Sequence, residues 1–284
     1  MADAGAVLIT GCSTGIGRAT AERLADRGHV VYATARRPES IADLAERGCQ
    51  VLALDVTDEA SMAAAVDRVV EERGAVGALV NNAGYSQSGA IESVPLDAAR
   101  SQFETNVFGL MRMCQLALPS MRAAGRGRIV NISSMGANLV FPGGGIYHAT
   151  KYAVDALSDA LRFEVKGFGV DVVIVQPGAI RTQFAAAAKA HMPGDVAGDD
   201  PYASFNAAVE RLTAEAYEKQ PMKLFGGPPE RVAKVVERAI TTARPRIRYR
   251  VTPSAHLLIA QRRLMTARMW DAFVGTQFPR PGRS

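Results

Sequence analysis

Short apolar runs and amphipathic segments alternate along most of the chain. Seven runs have the length of buried strands: residues 6–10, 30–35, 51–55, 78–81, 128–132, 171–176 and 247–251. The segments between them have the character of helices: residues 16–27, 38–47, 59–72, 98–123, 147–165 and 231–241. The run 171–176 carries β-branched residues on both faces, which is typical of a parallel strand covered on both sides.

This alternation predicts an α/β fold: a single Rossmann-type, doubly wound parallel sheet of about seven strands with helices on both faces. Residues 1–252 are expected to form the main body of the domain. Within it, residues 179–229 hold five prolines and four glycines, and we expect an irregular insertion that acts as a substrate lid. Residues 253–284 are expected to be a C-terminal helical extension of the same domain.

Composition narrows the class of protein. The 284 residues are 48% hydrophobic and 21% charged, which indicates a globular chain and excludes wholesale disorder. No apolar run approaches the ~20 residues of a membrane span, and residues 1–5 contain no basic residue. We therefore expect no signal peptide and a cytoplasmic protein. The three cysteines lack metal-ligand spacing, so neither a bound metal nor a disulfide framework is expected.

The net charge of +5 is concentrated at one end of the chain. Residues 244–284 hold nine arginines and one acidic residue, Asp271, whereas the rest of the chain is slightly acidic. This distribution does not favour a nucleic-acid partner, because the body of the domain is not basic.

A glycine-rich loop joins the first strand to the first helix. Residues 10–17 read Thr-Gly-Cys-Ser-Thr-Gly-Ile-Gly, with glycines at 11, 15 and 17. Glycines at this junction let the backbone approach a pyrophosphate at the helix N-terminus. The position therefore predicts a dinucleotide site, with a tight turn that binds nothing as the alternative.

Together with other motifs, this loop resembles the short-chain dehydrogenase/reductase family over about residues 5–251. The supporting motifs are Asn81-Asn82-Ala83-Gly84, Asn106, Ser134, Tyr147-x-x-x-Lys151 and Pro177-Gly178. The Val-Tyr-Ala-Thr-Ala-Arg strand and the extension beyond the last strand are similar to the branch of 17β-hydroxysteroid and retinol dehydrogenases. The resemblance implies that residues 1–252 bind a dinucleotide and carry the catalytic site.

Four residues are the catalytic candidates: Asn106, Ser134, Tyr147 and Lys151. Lys151 lies one helical turn after Tyr147, so that an ammonium there would favour the phenolate and make Tyr147 a usable proton donor or acceptor. Ser134 ends the fifth strand, where its hydroxyl can hold the substrate oxygen, and Ser133 is the competing candidate. The resemblance implies that Asn106 organises a water linked to Lys151, and a solvated polar position is the alternative.

The resemblance also implies the residues that line the cofactor. They are Gly11, Ser13, Thr14, Gly15, Ile16, Gly17, Asp55, Val56, Asn82, Ala83, Gly84, Tyr147, Lys151, Pro177, Gly178, Ile180 and Thr182. Arg36 directly follows the second strand, with no acidic residue before Glu39, and an arginine can make a bidentate contact to a 2′-phosphate. We therefore predict NADP, with NAD as the alternative in which Arg36 is an ordinary surface residue.

The residues expected at the substrate end are mainly apolar: Met135, Phe141, Ile146, Phe184 and Met192, with Tyr85 as a further candidate. They predict an enzyme that interconverts a lipophilic secondary alcohol and a ketone, for which the resemblance suggests steroids or retinoids. A 3-oxoacyl thioester reductase is the alternative reaction. A nucleotide-binding sensor without turnover is the alternative class.

The C-terminal segment 253–278 is expected to be helical, and three roles remain open for it. It can pack on its own domain or a second subunit, cover the substrate pocket, or contact a membrane surface through its aromatic and arginine residues. The resemblance implies that the helices around Asn106 and Tyr147 pack against the same helices of a second subunit, which predicts a homodimer or homotetramer. Its apolar contact residues would be Leu110, Met113, Leu116, Leu118, Ala153, Ala156, Ala160 and Phe163.

Overall fold

A parallel sheet of seven strands runs through the protein. The computed structural model describes residues 5–181, 200–218 and 225–282, and side chains are described except at 214–218. The strands are Ala6–Ile9 (β1), Val31–Ala35 (β2), Gln50–Ala53 (β3), Val76–Asn81 (β4), Gly127–Ile132 (β5), Val170–Gln176 (β6) and Arg248–Arg250 (β7). Their order is β3-β2-β1-β4-β5-β6-β7 with every neighbouring pair parallel, which confirms the predicted α/β fold.

Helices cover both faces of this sheet. They are Gly15–Ala25 (α1), Asp43–Glu46 (α2), Glu59–Arg73 (α3), Leu96–Phe103 (α4), Leu110–Ala123 (α5), Gly145–Glu164 (α6), Ala203–Glu218 (α7), Pro229–Thr241 (α8), Pro253–Leu264 (α9) and Ala267–Gly275 (α10). No helix within the described ranges is long and apolar enough to cross a membrane.

Alternate residues of each central strand feed two separate cores. On β1, Val7 and Ile9 belong to the core under α1 and α8, whereas Leu8 belongs to the core under α3, α5 and α6. Successive side chains of a strand point to opposite faces, so that a strand buried on both faces must be apolar throughout. This requirement explains the unbroken apolar runs in the sequence.

The order of the strands reverses between β1 and β4. The chain first builds outward from β1 to β3 and then returns to add β4 on the other side of β1. At such a reversal the loops that follow the two neighbouring strands diverge and leave a crevice at the carboxyl edge of the sheet. The glycine-rich loop after β1 and the Asn82–Gly84 segment after β4 meet at this crevice.

The helical stretch expected over 98–123 is interrupted in the middle. Residues Glu104–Gly109 form a π-helical segment between α4 and α5. Gly109 lies against the loop after β3, where a β-carbon would overlap the carbonyl oxygen of Val56. The glycine therefore allows a close approach between this segment and the neighbouring loop.

One expectation about the second half of the chain is wrong. Part of the segment 179–229 is not irregular, because residues 203–218 form α7, a stretch in which neither proline nor glycine occurs. The C-terminal segment is helical as expected and consists of two helices, α9 and α10. Thr266 begins the second helix, α10, by accepting a hydrogen bond from the Met269 amide at 3.3 Å.

Candidate active site

A cleft of about 1490 Å³ opens at the carboxyl edge of the sheet. Its floor consists of residues that directly follow four strands, among them Gly11, Asn82, Ser134 and Pro177. A pocket for one drug-sized ligand is about 300–1,000 Å³, so this cleft has room for a dinucleotide and a second molecule.

The glycine-rich loop lies close to the segment after β4. Gly11 has a φ of +72°, and a β-carbon there would stand only 2.9 Å from the Cα atom of Ala83. The side-chain amide of Asn82 donates hydrogen bonds of 2.9 Å to the carbonyl oxygens of Thr10 and Gly11. Asn82 therefore holds the loop against the segment after β4, and the glycine at position 11 permits the close approach of the two.

The end of this loop, at the start of α1, is suited to a pyrophosphate. Thr14 precedes α1 in extended conformation, and its side chain makes no capping hydrogen bond. The amide groups of the first turn of α1 thus need another acceptor, and an anion is a good one. Because Gly11, Thr14, Gly15 and Ile16 all line the cleft, this helix N-terminus fits the pyrophosphate of a dinucleotide cofactor.

Most of the residues predicted to hold a cofactor line the cleft. They are Gly11, Thr14, Gly15, Ile16, Arg36, Asp55, Val56, Asn82, Ala83, Gly84, Tyr147, Lys151, Pro177, Gly178 and Ile180. Ser13 and Gly17 do not line it. A β-carbon at Gly17 would overlap the Gly11 carbonyl, which gives this glycine a packing role. Thr182 lies outside the described residues.

The end of β2 presents a cation to the cleft. Arg36 lines the cleft, is exposed, and has no carboxylate partner among the residues that the structure describes. Asp55, which also lines the cleft, accepts hydrogen bonds from the backbone and hydroxyl of Thr57 at 2.9 and 2.7 Å. Asp55 therefore forms the turn before α3 and faces the cleft at the same time.

Tyr147 and Lys151 stand one turn apart on α6. The Lys151 Nζ lies 5.8 Å from the centre of the Tyr147 ring and donates a hydrogen bond of 2.9 Å to the carbonyl oxygen of Ile132. Burial lowers the pKa of Lys151 to about 8, and the carboxylate of Asp155, one turn further along α6, acts in the opposite direction. The cation thus sits deep in the cleft, beneath the tyrosine.

The two neighbouring serines after β5 have different surroundings. Ser133 is buried, and its hydroxyl donates a hydrogen bond of 2.5 Å to Asp155. The Ser134 hydroxyl, which lines the cleft, accepts a hydrogen bond of 3.0 Å from the Gly136 amide. Its own hydrogen can therefore be donated to a substrate oxygen, which makes Ser134 the better candidate of the two.

Asn106 lies in the π-helical segment and is only 1% exposed, which excludes the alternative of a solvated surface position. Its side chain bonds the amide and the carbonyl of Tyr85 at 3.0 and 2.9 Å, and it donates to the Thr150 hydroxyl at 3.1 Å. Asn106 does not line the cleft. A β-carbon at Gly84, however, would fall 3.0 Å from its Oδ1 atom and 3.9 Å from the Lys151 Nζ.

The substrate end of the cleft is only partly as predicted. Met135, Phe141 and Tyr85 line it, whereas Ile146 does not, because Tyr147 and His148 take the face of α6 that looks into the cleft. Phe184 and Met192 lie outside the described residues.

Several lining residues were not among the predicted substrate residues, although covering the pocket was one of the roles left open for the segment 253–278. Most are apolar and come from α7, from the C-terminal helices and from the segments next to them: Val209, Leu212, Phe225, Leu257, Leu258, Phe273 and Phe278. The spacing of Val209 and Leu212 is helical and could have indicated α7. Of the charged side chains among the described lining residues, only Lys151 stands near Tyr147, and the others are Arg36, Asp55 and Glu104.

Comparison with known proteins identifies the family. Residues 5–193 match the family model described as short chain dehydrogenase. The chain belongs to the short-chain dehydrogenase/reductase family. This result confirms the resemblance carried by the sequence motifs, and the glycine-rich loop, Tyr147 and Lys151 all lie within the matched residues.

Two relatives carry a functional name. A 3-ketodihydrosphingosine reductase of Bacteroides thetaiotaomicron is 42% identical over 179 residues, which is 63% of this chain and 65% of that protein. An NADPH-dependent 3-dehydrocapnine reductase of Ornithobacterium rhinotracheale is 32% identical over 274 residues, which is 93% of this chain and 94% of that protein.

Solved structures of the family share the fold. A short-chain dehydrogenase from Streptomyces avermitilis is 34% identical with a TM-score of 0.76, covering 96% of this chain and 99% of that one. A serine dehydrogenase in complex with NADP+ (26% identical, TM-score 0.75) covers 87% and 94%. A Burkholderia phymatum family member with NAD (25% identical, TM-score 0.77) covers 99% and 98%. The protein is thus an alcohol dehydrogenase/ketoreductase type of oxidoreductase that uses NAD or NADP.

Proposed function

We propose that the protein is an NADP(H)-dependent reductase of a ketone group carried by a long lipophilic molecule. This proposal rests on the observation that the cleft has a catalytic part and a mainly apolar part. Ser134, Tyr147 and Lys151 stand at its floor, and the described residues beyond them are predominantly apolar. The names of two relatives support it, since 3-ketodihydrosphingosine is a ketone on a long alkyl chain.

Each catalytic candidate has a distinct part in ketone reduction. NADPH, held by the glycine-rich loop and Arg36, would supply a hydride to the carbonyl carbon of the substrate. Tyr147 donates a proton to the substrate oxygen, and the ammonium of Lys151 stabilises the negative charge that this leaves on the phenol. The Ser134 hydroxyl donates a hydrogen bond to the same oxygen and holds it near Tyr147. Asn106 acts as a positioning residue, since it binds the backbone of Tyr85 and the Thr150 hydroxyl on α6.

Arg36 supports NADP as the cofactor. It is exposed at the rim of the cleft and has no carboxylate partner among the described residues, so its guanidinium is available to a 2′-phosphate. Family structures with NADP and with NAD are known, and Arg36 is the residue of this chain that we propose selects NADP.

The C-terminal extension is proposed to form one wall of the substrate end. Ile259, Trp270 and Val274 pack with Leu139, which fixes α9 and α10 to the body of the domain. On the side of the cleft, Leu257, Leu258, Phe273 and Phe278 join the lining residues. The C-terminal extension would therefore combine two of the roles expected for it, because it packs on its own domain and also covers the substrate pocket.

A substrate panel tests the proposal. The protein is mixed with NADPH and, separately, with a long-chain 3-keto amine, a steroid ketone, a retinal and a 3-oxoacyl thioester, and oxidation of NADPH is followed by absorbance. We expect the highest kcat/KM with the long-chain ketone. A higher value with the thioester would replace this proposal with the alternative reaction. Turnover of none of them, by protein that binds NADPH, would favour a sensor.

A further inference from the structure

His148 connects the active-site helix to both ends of the loop that carries the substrate residues. Its Nδ1 atom lies 3.0 Å from the carbonyl oxygen of Gly136, and its Nε2 atom accepts a hydrogen bond of 3.1 Å from the Phe141 amide. An amide can only donate, so Nε2 must be unprotonated and Nδ1 must carry the hydrogen. Both bonds therefore exist together only in one neutral tautomer of the imidazole.

The backbone on either side is shaped to accept this ring. A β-carbon at Gly136 would stand 2.7 Å from the His148 Nδ1 atom, and one at Gly144 would stand 3.0 Å from the other edge of the ring. The ring is 7% exposed and lies edge-on to Tyr147, with the ring centres 5.9 Å apart. A residue that follows the catalytic tyrosine is thus enclosed between two glycines.

The loop held in this way carries two parts of the substrate end. The Ser134 hydroxyl accepts a hydrogen bond from the amide of Gly136. The carbonyl oxygen of the same glycine accepts a hydrogen bond from the Nδ1 atom of His148. Phe141, whose amide is the other partner, lines the cleft and lies 5.7 Å from Trp270, ring centre to ring centre. A shift of the imidazole would therefore move both the hydroxyl and the aromatic wall.

We propose that neutral His148 is a positioning residue that sets where the Ser134 hydroxyl and the Phe141 ring meet the substrate. This inference rests on the proposed ketone reductase activity. The nucleotide side of the cleft is formed by other loops. His148 therefore affects how the ketone is positioned and leaves NADPH binding unaffected. Protonation removes the lone pair on Nε2 and releases Phe141.

The surroundings of the ring keep it neutral near pH 7. Burial lowers the pKa of His148, and the hydrogen bond to the Gly136 carbonyl acts in the opposite direction. On its own helix, the nearest ionisable groups that line the cleft are Tyr147 and Lys151. Residues 135–144, which pack against the ring, include no ionisable side chain. Loss of the neutral form is therefore expected only below the ordinary histidine pKa of about 6.5.

Three variants of the full-length protein test this role: His148→Gln, His148→Phe and His256→Gln. Glutamine keeps one donor and one acceptor, whereas phenylalanine keeps a ring of similar size and loses both. His256 is exposed and serves as the matched control. Kinetics with the best ketone of the panel, NADPH affinity by fluorescence and folding by circular dichroism are measured for each.

We expect His148→Phe to lower kcat/KM for the ketone at least tenfold, with an NADPH dissociation constant within twofold of wild type. We expect kcat/KM of the wild type to fall at a pH below about 6.5. His148→Gln should recover most of the loss seen in His148→Phe and should lack this fall. Recovery by phenylalanine rather than by glutamine would reduce His148 to a packing residue and overturn the proposal. A wild-type protein inactive on every ketone would instead count against the proposed function.

Discussion

Lys151 donates a hydrogen bond of 2.9 Å from its buried ammonium to the carbonyl oxygen of Ile132, the last residue of β5. The end of a sheet strand thus holds the cation at a fixed depth below Tyr147. A backbone carbonyl is neutral, so it offsets only part of the cost of burying the charge. This arrangement explains why burial dominates the pKa of Lys151 and why the pH dependence of the enzyme should report on it.

The rate of ketone reduction is expected to fall as the pH rises above about 8. Burial disfavours the charged form of Lys151 and lowers its pKa to about 8, so the ammonium is present below that pH and lost above it. The loss removes the charge that stabilises the Tyr147 phenolate. Measurement of kcat for reduction between pH 6 and pH 10 checks this prediction, and a rate that stays level to pH 10 contradicts it.

Replacement of Tyr147 by phenylalanine should remove the proton donor and leave the cleft otherwise intact. We expect kcat to fall by a factor of roughly 10²–10⁴, the usual contribution of general acid catalysis, with little change in NADPH binding. Tyr152 lies on the same helix and is 42% exposed, so Tyr152→Phe is the matched control and should keep wild-type activity. Turnover that survives in Tyr147→Phe would assign the proton to another group.

The Arg36→Asp variant should change the preferred cofactor. A carboxylate at this position repels a 2′-phosphate and accepts hydrogen bonds from the ribose hydroxyls of NAD. We expect the ratio of kcat/KM with NADPH to that with NADH to fall by at least tenfold. Arg37 is exposed but does not line the cleft, so Arg37→Asp is the control for a general effect of charge. Equal shifts in both variants would argue against a specific contact.

Phe273 should matter for the ketone and not for the cofactor. It lines the substrate end from α10 and lies 5.3 Å from Trp270, ring centre to ring centre. Phe273→Ala is expected to raise KM for a long-chain ketone about fivefold to twentyfold, in line with the removal of a large apolar contact. Leu264, in the same C-terminal segment but 85% exposed, is the control as Leu264→Ala. An unchanged KM in Phe273→Ala would remove α10 from the substrate wall.

The face of α6 that points away from the sheet should form a contact between subunits. Two of the other residues expected at the contact, Leu110 and Met113, lie on α5 and are buried in this chain's own core. Ala156, Ala160 and Phe163 are exposed, and Phe163 is 88% exposed. We expect sedimentation as a dimer or tetramer at micromolar concentration and dissociation in Phe163→Glu. A wild-type protein that sediments as a monomer would reject the contact.

The sequence predicts best those structural features that are determined by residues close together in the chain. The strands and the glycine-rich loop were predicted because apolar run length and glycine spacing act within a few residues. The π-helical interruption of the helical stretch 98–123 was not predicted, although Asn106 and Gly109 are poor helix formers. The close approach of Gly109 to the Val56 carbonyl joins residues about fifty positions apart, which a local pattern does not reveal. Helix α7 was missed because the prolines and glycines around it outweighed its own sequence.

The role of His148 could not be predicted in the same way. In the sequence alone, a histidine that follows the tyrosine does not indicate any particular role. Its function follows from the Gly136 carbonyl and the Phe141 amide, whose positions depend on how the loop after β5 returns to α6. The break between α9 and α10 was partly predictable from the sequence. Thr266 is a recognisable capping residue, but the spacing of the apolar residues continues across it.

The π-helical segment at Glu104–Gly109 also fixes the rotational register of two helices at once. A π-type turn contains about one residue more than an α-helical turn, so α4 and α5 are offset by roughly 100° relative to a continuous helix. Deleting one residue here would allow an uninterrupted helix, but it would turn either Asn106 away from Tyr85 or Met113 out of the core. Insertions and deletions in this segment are therefore tolerated less well than substitutions. In a homologue with a segment of different length, we expect the whole part of the active site that donates the proton to be arranged differently.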